Sequence, residues 1–138
     1  MSVATPARPM PVVQPWARPF WEAAREGRLV LQHCDDCGKP IHYPRVACPH
    51  CGSVRIDWRE ASGRGTVYSY TVVVSNAPSA FIADMPYVVA IIELDEGVRM
   101  LSNLINYEPE ALRCDMPVEV VFERQNDKFV FPKFRPIR

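Results

Sequence analysis

Cys34-Asp35-Asp36-Cys37-Gly38 and Cys48-Pro49-His50-Cys51-Gly52 are two copies of one knuckle, Cys-x-x-Cys-Gly, with ten residues between the pairs. A two-residue gap lets the chain curl so that both sulfurs face one point. The glycine that follows can take positive φ, which turns backbone N–H groups towards the thiolates. Four thiolates around one ion make a closed tetrahedral shell, so Cys34, Cys37, Cys48 and Cys51 are expected to hold a structural metal with no open position for water or substrate. Zinc is the expected ion, and iron fits tetrahedral sulfur as well. Disulfides are the competing outcome, disfavoured for a chain in a reducing compartment. His33, His42 and His50 lie in or beside the knuckles, but four sulfurs complete the shell without them, so they are expected to be bystanders.

Working outward, Leu29-Val30-Leu31 is expected to enter the first knuckle as a strand, and Val54 to Trp58 to leave the second as another. Upstream, Ala17 to Gly27 has Pro19 near a first helical turn, Phe20, Ala23 and Ala24 on one side, and Gly27 as a stop. That pattern predicts one short helix displaying Phe20 and Trp21. Pro6, Pro9, Pro11 and Pro15 remove backbone donors from the first fifteen residues, which predicts an extended tail able to order on a partner.

Gly63 and Gly65 punctuate the chain before a region of β character, with strands expected at Thr66 to Val74, Tyr87 to Leu94, Val98 to Ile105, Val118 to Glu123 and Lys128 to Phe134. Val118, Val120 and Phe122 alternate with Glu119 and Glu123, so one face is buried. Asp95-Glu96-Gly97 is expected to be a tight hairpin turn, and Glu108 to Cys114 a short helix between the third and fourth strands. Five strands in Greek-key order with a helix at that point form an OB-fold barrel. The expected fold is therefore mainly β, divided into a tail (1–15), a helix plus zinc ribbon (16–62) and a five-stranded OB-fold domain (63–138).

A chain of 138 residues with 48% hydrophobic composition can bury one modest core. The 16 basic and 16 acidic side chains cancel, and the barrel region carries 8 basic against 10 acidic groups. That balance disfavours a nucleic-acid groove, which needs a positive field to follow phosphates. Ribbons and OB barrels do serve that purpose elsewhere, and Tyr68 and Tyr70, expected on one face of the first barrel strand, would be the stacking pair of a single-stranded nucleic-acid module. The first fifteen residues hold no continuous apolar h-region, and the longest apolar run, Tyr87 to Ile92, is too short to span a bilayer, so the cytoplasm is the expected location. The sequence has no G-x-S-x-G, phosphate-cradling glycine loop or H-E-x-x-H. Cys114, between Arg113 and Asp115, is the one spare thiol, and with no histidine near it in sequence an inert role is expected.

Several stretches together resemble the acyl-CoA-associated zinc-ribbon and OB-fold family, long catalogued as a domain of unknown function. They are Phe20-Trp21, Leu29 to Cys34, Tyr43-Pro44-Arg45 before Cys48-Pro49, Gly63 to Ser69, Pro86 to Val89, Glu93 to Gly97 and Met116-Pro117-Val118. The resemblance implies an N-terminal helix, a rubredoxin-like zinc ribbon and a C-terminal OB barrel. It also implies a hetero-oligomer with a thiolase-like catalytic subunit, whether a thiolase, a sterol-carrier-type thiolase or aldolase, or a hydroxymethylglutaryl-CoA synthase, and a coenzyme A thioester as a shared ligand. Val74 stands where that family often has histidine. Asp115 stands where it often has glycine, which implies a different turn.

The expected function is thus a non-catalytic subunit that stabilises an acyl-CoA enzyme and helps to enclose its substrate. The loop Ser75 to Met85 would carry Phe81, Ile82 and Met85 to a barrel mouth, Arg64, Arg99 and Lys133 would supply cations for CoA phosphates, and Phe20 and Trp21 would meet the partner. An enzyme acting alone through Cys114 is the remaining alternative.

Overall fold

Strand β1 (Val30–Cys34) lies at the centre of a three-stranded antiparallel sheet, between β2 (Pro40–Ile41) and β3 (Ile56–Glu60). This arrangement comes from a computed structural model, which describes residues 7–137; residues 1–6 of the expected tail lie outside the described residues. β1 runs without interruption into the first knuckle, pairing Val30 with Glu60 at one end and Cys34 with Ile56 at the other. β3 begins two residues later than the sequence pattern implies. The Ile56 amide donates back to the Val54 carbonyl, and the Asp35 amide takes the Arg55 carbonyl, so both residues still belong to the knuckle.

Five further strands, β4 (Arg64–Val73), β5 (Tyr87–Leu94), β6 (Arg99–Leu104), β7 (Pro117–Arg124) and β8 (Val130–Pro136), close into a barrel in the order β4-β5-β6-β8-β7. Every ladder is antiparallel except the closure of β6 on β8, which is parallel and rests on the one pair Leu104–Phe134. Strand alternation sets the core: Val88, Ala90, Ile92 and Leu94 all point inward and meet Val67, Met100, Leu104, Met116, Val118 and Phe134. The Asp95-Glu96-Gly97 turn forms as expected, with the Gly97 amide donating to the Leu94 carbonyl at 2.8 Å.

Helix α1 (Arg18–Arg25) packs against β1, β7 and β8, and Phe20, Leu29 and Leu31 belong to the same core cluster as the barrel residues. Phe20 is therefore not displayed: it is buried, because the apolar side of so short a helix has the barrel to cover. Trp21 is partly buried, with its ring edge-on to Phe129 and Phe131 at 5.6 and 5.8 Å.

The helix expected at Glu108 to Cys114 shrinks to a single 3-10 turn, Pro109–Ala111. Leu112 returns to extended backbone and packs on the core, and the Tyr70 hydroxyl donates to its carbonyl at 3.3 Å. One turn with no side-chain cap cannot offset the cost of helix nucleation. Asp115 has φ 66, the left-handed conformation that glycine favours, and its amide donates to the Val67 carbonyl at 2.7 Å. The turn before Met116 thus has a conformation that a glycine would serve.

Candidate functional site

The two knuckles repeat the same backbone pattern. The Cys34 amide donates to the Lys39 carbonyl and the Cys48 amide to that of Ser53, at 3.0 and 2.8 Å; the Gly38 and Gly52 amides return to the carbonyls of Cys34 and Cys48, at 2.9 and 2.8 Å. Both glycines have positive φ, 77° and 81°, a conformation that carries little penalty without a Cβ. The Cys37 amide points at the Cys34 sulfur (3.5 Å), and the His50 amide at the Cys48 sulfur (3.4 Å).

These two turns bring all four Sγ atoms within 4.8 Å of one another. Across the knuckles, Cys34 Sγ lies 3.6 Å from Cys51 Sγ, and Cys37 Sγ lies 3.7 Å from Cys48 Sγ. A tetrahedron built on metal–sulfur bonds of about 2.3 Å has sulfur–sulfur edges of about 3.8 Å, so the residues present fit a single tetrahedral ion. Cys34 and Cys48 are buried with Ile41 and Ile56, while Cys37 and Cys51 face outward. The Cys37 amide leads the groups that hold the Cys34 thiol down at about 7. At Cys51 the Ser53 amide acts the same way but is outweighed by the Cys34 thiolate, burial and the other two sulfurs, which push it to about 12. Four sulfurs crowded this closely cannot all ionise without a cation among them.

The loop between the knuckles is held from both sides. The buried Gln32 side chain donates to the Arg45 carbonyl (2.9 Å) and accepts from the Arg45 amide (2.7 Å). Beyond that clamp, the Tyr43 hydroxyl accepts from the Leu101 amide on β6 at 2.9 Å. His42 lies between, its ring 5.6 Å from that of Phe20, and burial lowers its imidazole to about 4. Its Nε2 is buried with no hydrogen-bond partner among the described residues. No feature of the sequence distinguishes Gln32 or His42 from surface polar residues, because their partners sit on other elements.

The six residues considered for acyl-CoA are not brought together. Phe81 and Lys133 line a cleft of about 530 Å³ at the barrel mouth. Arg64 lines a different cleft with Glu119 and Arg135, and Arg99 a third beside the ribbon. Arg99 is stacked on Tyr68, its guanidinium carbon 3.7 Å from the ring centroid. Ile82 is exposed and Met85 half-buried, on the 3-10 turn Ser79–Asp84 and just after it. A β-bulge between Val67 and Ser69 also corrects the expected base-stacking pair: Tyr68 faces out under Arg99 while Tyr70 turns in to the core. Arg113 donates to the carbonyl oxygen of Cys114 (3.5 Å), not to its sulfur. No helix among the described residues is long and apolar enough to cross a membrane.

Two family models match: "ChsH2, rubredoxin-like zinc ribbon domain" over residues 21–55, and "ChsH2, C-terminal OB-fold domain" over residues 58–123. The chain is 40% identical over 129 residues to a "Probable enoyl-CoA hydratase alpha subunit" of Thermomonospora curvata, covering 94% of this chain but 40% of that protein, so it spans less than half the length of that relative. It is 38% identical to a "DUF35 domain-containing scaffold protein" of Methanocaldococcus jannaschii, covering 79% of this chain and 82% of the relative. A "Benzoylsuccinyl-CoA thiolase subunit BbsA" of Geobacter metallireducens is 29% identical over 63% of this chain and 56% of its own length. Among solved structures, a chain of the "Ltp2-ChsH2(DUF35) aldolase" superposes with a TM-score of 0.83 at 40% identity, covering 92% of this chain and 98% of that one. The paired knuckles, the barrel and these likenesses agree, and the chain belongs to the ChsH2/DUF35 family of rubredoxin-like zinc ribbon and OB-fold proteins.

Proposed function

We propose that this chain is a non-catalytic, zinc-holding subunit of a thiolase-like or aldolase complex, stabilising the catalytic partner and helping to enclose an acyl-CoA in β-oxidation-type degradation. The observation that carries this reading is the four-sulfur cluster: its spacing fits an ion with a complete shell, which leaves no place for substrate. When bound, zinc supplies a cross-link between the knuckles. The chain's own residues then fix the loop after β2, residues 42–46, against the barrel through Gln32 and Tyr43. Three of the relatives named above carry acyl-CoA or aldolase activities in their names, as a hydratase subunit, a thiolase subunit and an aldolase assembly, which supports a shared role beside different chemistries.

The test is co-expression with a thiolase-like or aldolase protein encoded beside this chain. Joint purification, one zinc per copy of this chain and turnover only when both chains are present are the expected results. A catalytic protein that is stable and fully active without this chain would overturn the proposal.

A further inference from the structure

Two clefts on the barrel share a wall. The mouth cleft of about 530 Å³ and a second of about 400 Å³, floored by Phe20, Trp21 and Phe131, both include Asn103 and Lys133 in their lining. They meet along that wall. Across both runs the proline-bearing segment before α1: Arg8 lines the first cleft, and Pro11, Val12 and Gln14 line the second. Gln14 has φ −72 and ψ 147, the polyproline II conformation, in which an extended chain lies against aromatic side chains with little further loss of backbone freedom.

The segment is fastened at its far end by Arg8. Its guanidinium donates to the Asp84 carboxylate and lies over the Phe81 ring, 5.2 Å from the centroid. Glu123, which accepts from Lys133 Nζ at 2.7 Å, also feels the Arg8 charge. Arg8 is thus a cation set between two carboxylates and an aromatic face. By contrast Val12, midway along the segment, is 87% exposed. Its neighbours Met10, Pro11 and Val13 are half-buried, so the middle of the segment rests on the surface without a polar anchor while its end is held by charge.

We propose that residues 7–14 form a strap across these two clefts with Arg8 as its latch, so that release of Arg8 from Asp84 and Phe81 lifts the strap and uncovers the aromatic surface beneath it. The device is independent of the accessory-subunit reading, since it concerns only this chain. A half-exposed ion pair and a single cation–π contact are weak and are screened by salt, which suits a latch meant to open.

Binding of the apolar anionic dye anilinonaphthalene sulfonate to the full-length, zinc-loaded protein tests this, with acrylamide quenching of tryptophan fluorescence as a second measurement, since Trp16 and Trp21 line the covered cleft. Arg8→Ala should raise dye binding several-fold and increase quenching. Asp84→Arg should do the same, and the double variant Arg8→Asp with Asp84→Arg should restore low dye binding and the parent's quenching. Unchanged dye binding and quenching in both single variants, or a double variant as open as either, would overturn the proposal.

Discussion

The hydroxyl of Tyr43 accepts a hydrogen bond from the amide of Leu101 at 2.9 Å, so the loop between the two knuckles ends on the barrel's third strand. Gln32 holds the same loop from the ribbon side, and the metal cluster closes it at its far end. The centre and the barrel are thereby mechanically linked through a handful of polar contacts.

Replacing Tyr43 by Phe removes that acceptor and leaves the ring. Because Tyr43 is half exposed, water can take over the Leu101 amide, and a loss of about 1 kcal/mol in urea denaturation is expected. The Leu101 amide should exchange faster in the same variant while those of Ile92 and Leu94 do not.

Replacing Cys51 by Ser should drop bound metal well below one ion per chain and remove exchange protection from β1 and β3. Structural zinc is worth about 10–16 kcal/mol in zinc-finger peptides, far more than the small ribbon core supplies. Cys114→Ala should keep its metal and lie within about 0.5 kcal/mol of the parent, since Cys114 is exposed. Metal analysis beside thermal unfolding checks both.

His42 makes stability fall with acid. Its buried neutral ring has its pKa depressed to about 4, below the 6.5 of the unfolded chain, so over that window the unfolded state takes up the proton first. The stability it contributes is complete above pH 6.5 and is lost as pH falls towards 4, to a total of about 3 kcal/mol. His42→Phe, which suits the neighbouring Phe20 and Tyr43 rings, should flatten this part of the curve, provided metal content is verified at each pH.

Gly65 leaves no room for a side chain. A Cβ there would meet the Glu93 carbonyl oxygen at 2.3 Å, and that oxygen is backbone in the paired strand β5. Gly65→Ala should therefore cost about 1–3 kcal/mol, towards the upper end because the β4–β5 ladder itself must part. The exposed Ser69→Ala on the same strand should change stability by less than about 0.5 kcal/mol.

The knuckles are legible in the sequence because everything they need is local: a two-residue gap, a glycine and a second copy. Strand alternation exposes the barrel for the same reason, since Val118, Val120 and Phe122 alternate with glutamates. What stays hidden depends on partners far along the chain. Phe20 turns inward only because the barrel is there to receive it, and the bulge that separates Tyr68 from Tyr70 adds one residue without changing composition. Arg8 meets Asp84 across 76 positions, a pairing that no spacing rule announces.

The single parallel rung Leu104–Phe134 makes β6 and β8 the weakest pair of neighbours around the cylinder. Under pulling or denaturant the wall should tear along that line before any other. Helix α1 lies along one side of that line, with Phe20 on the core and Trp21 against Phe131 of β8, so loosening residues 18–25 should lower the load at which the seam opens.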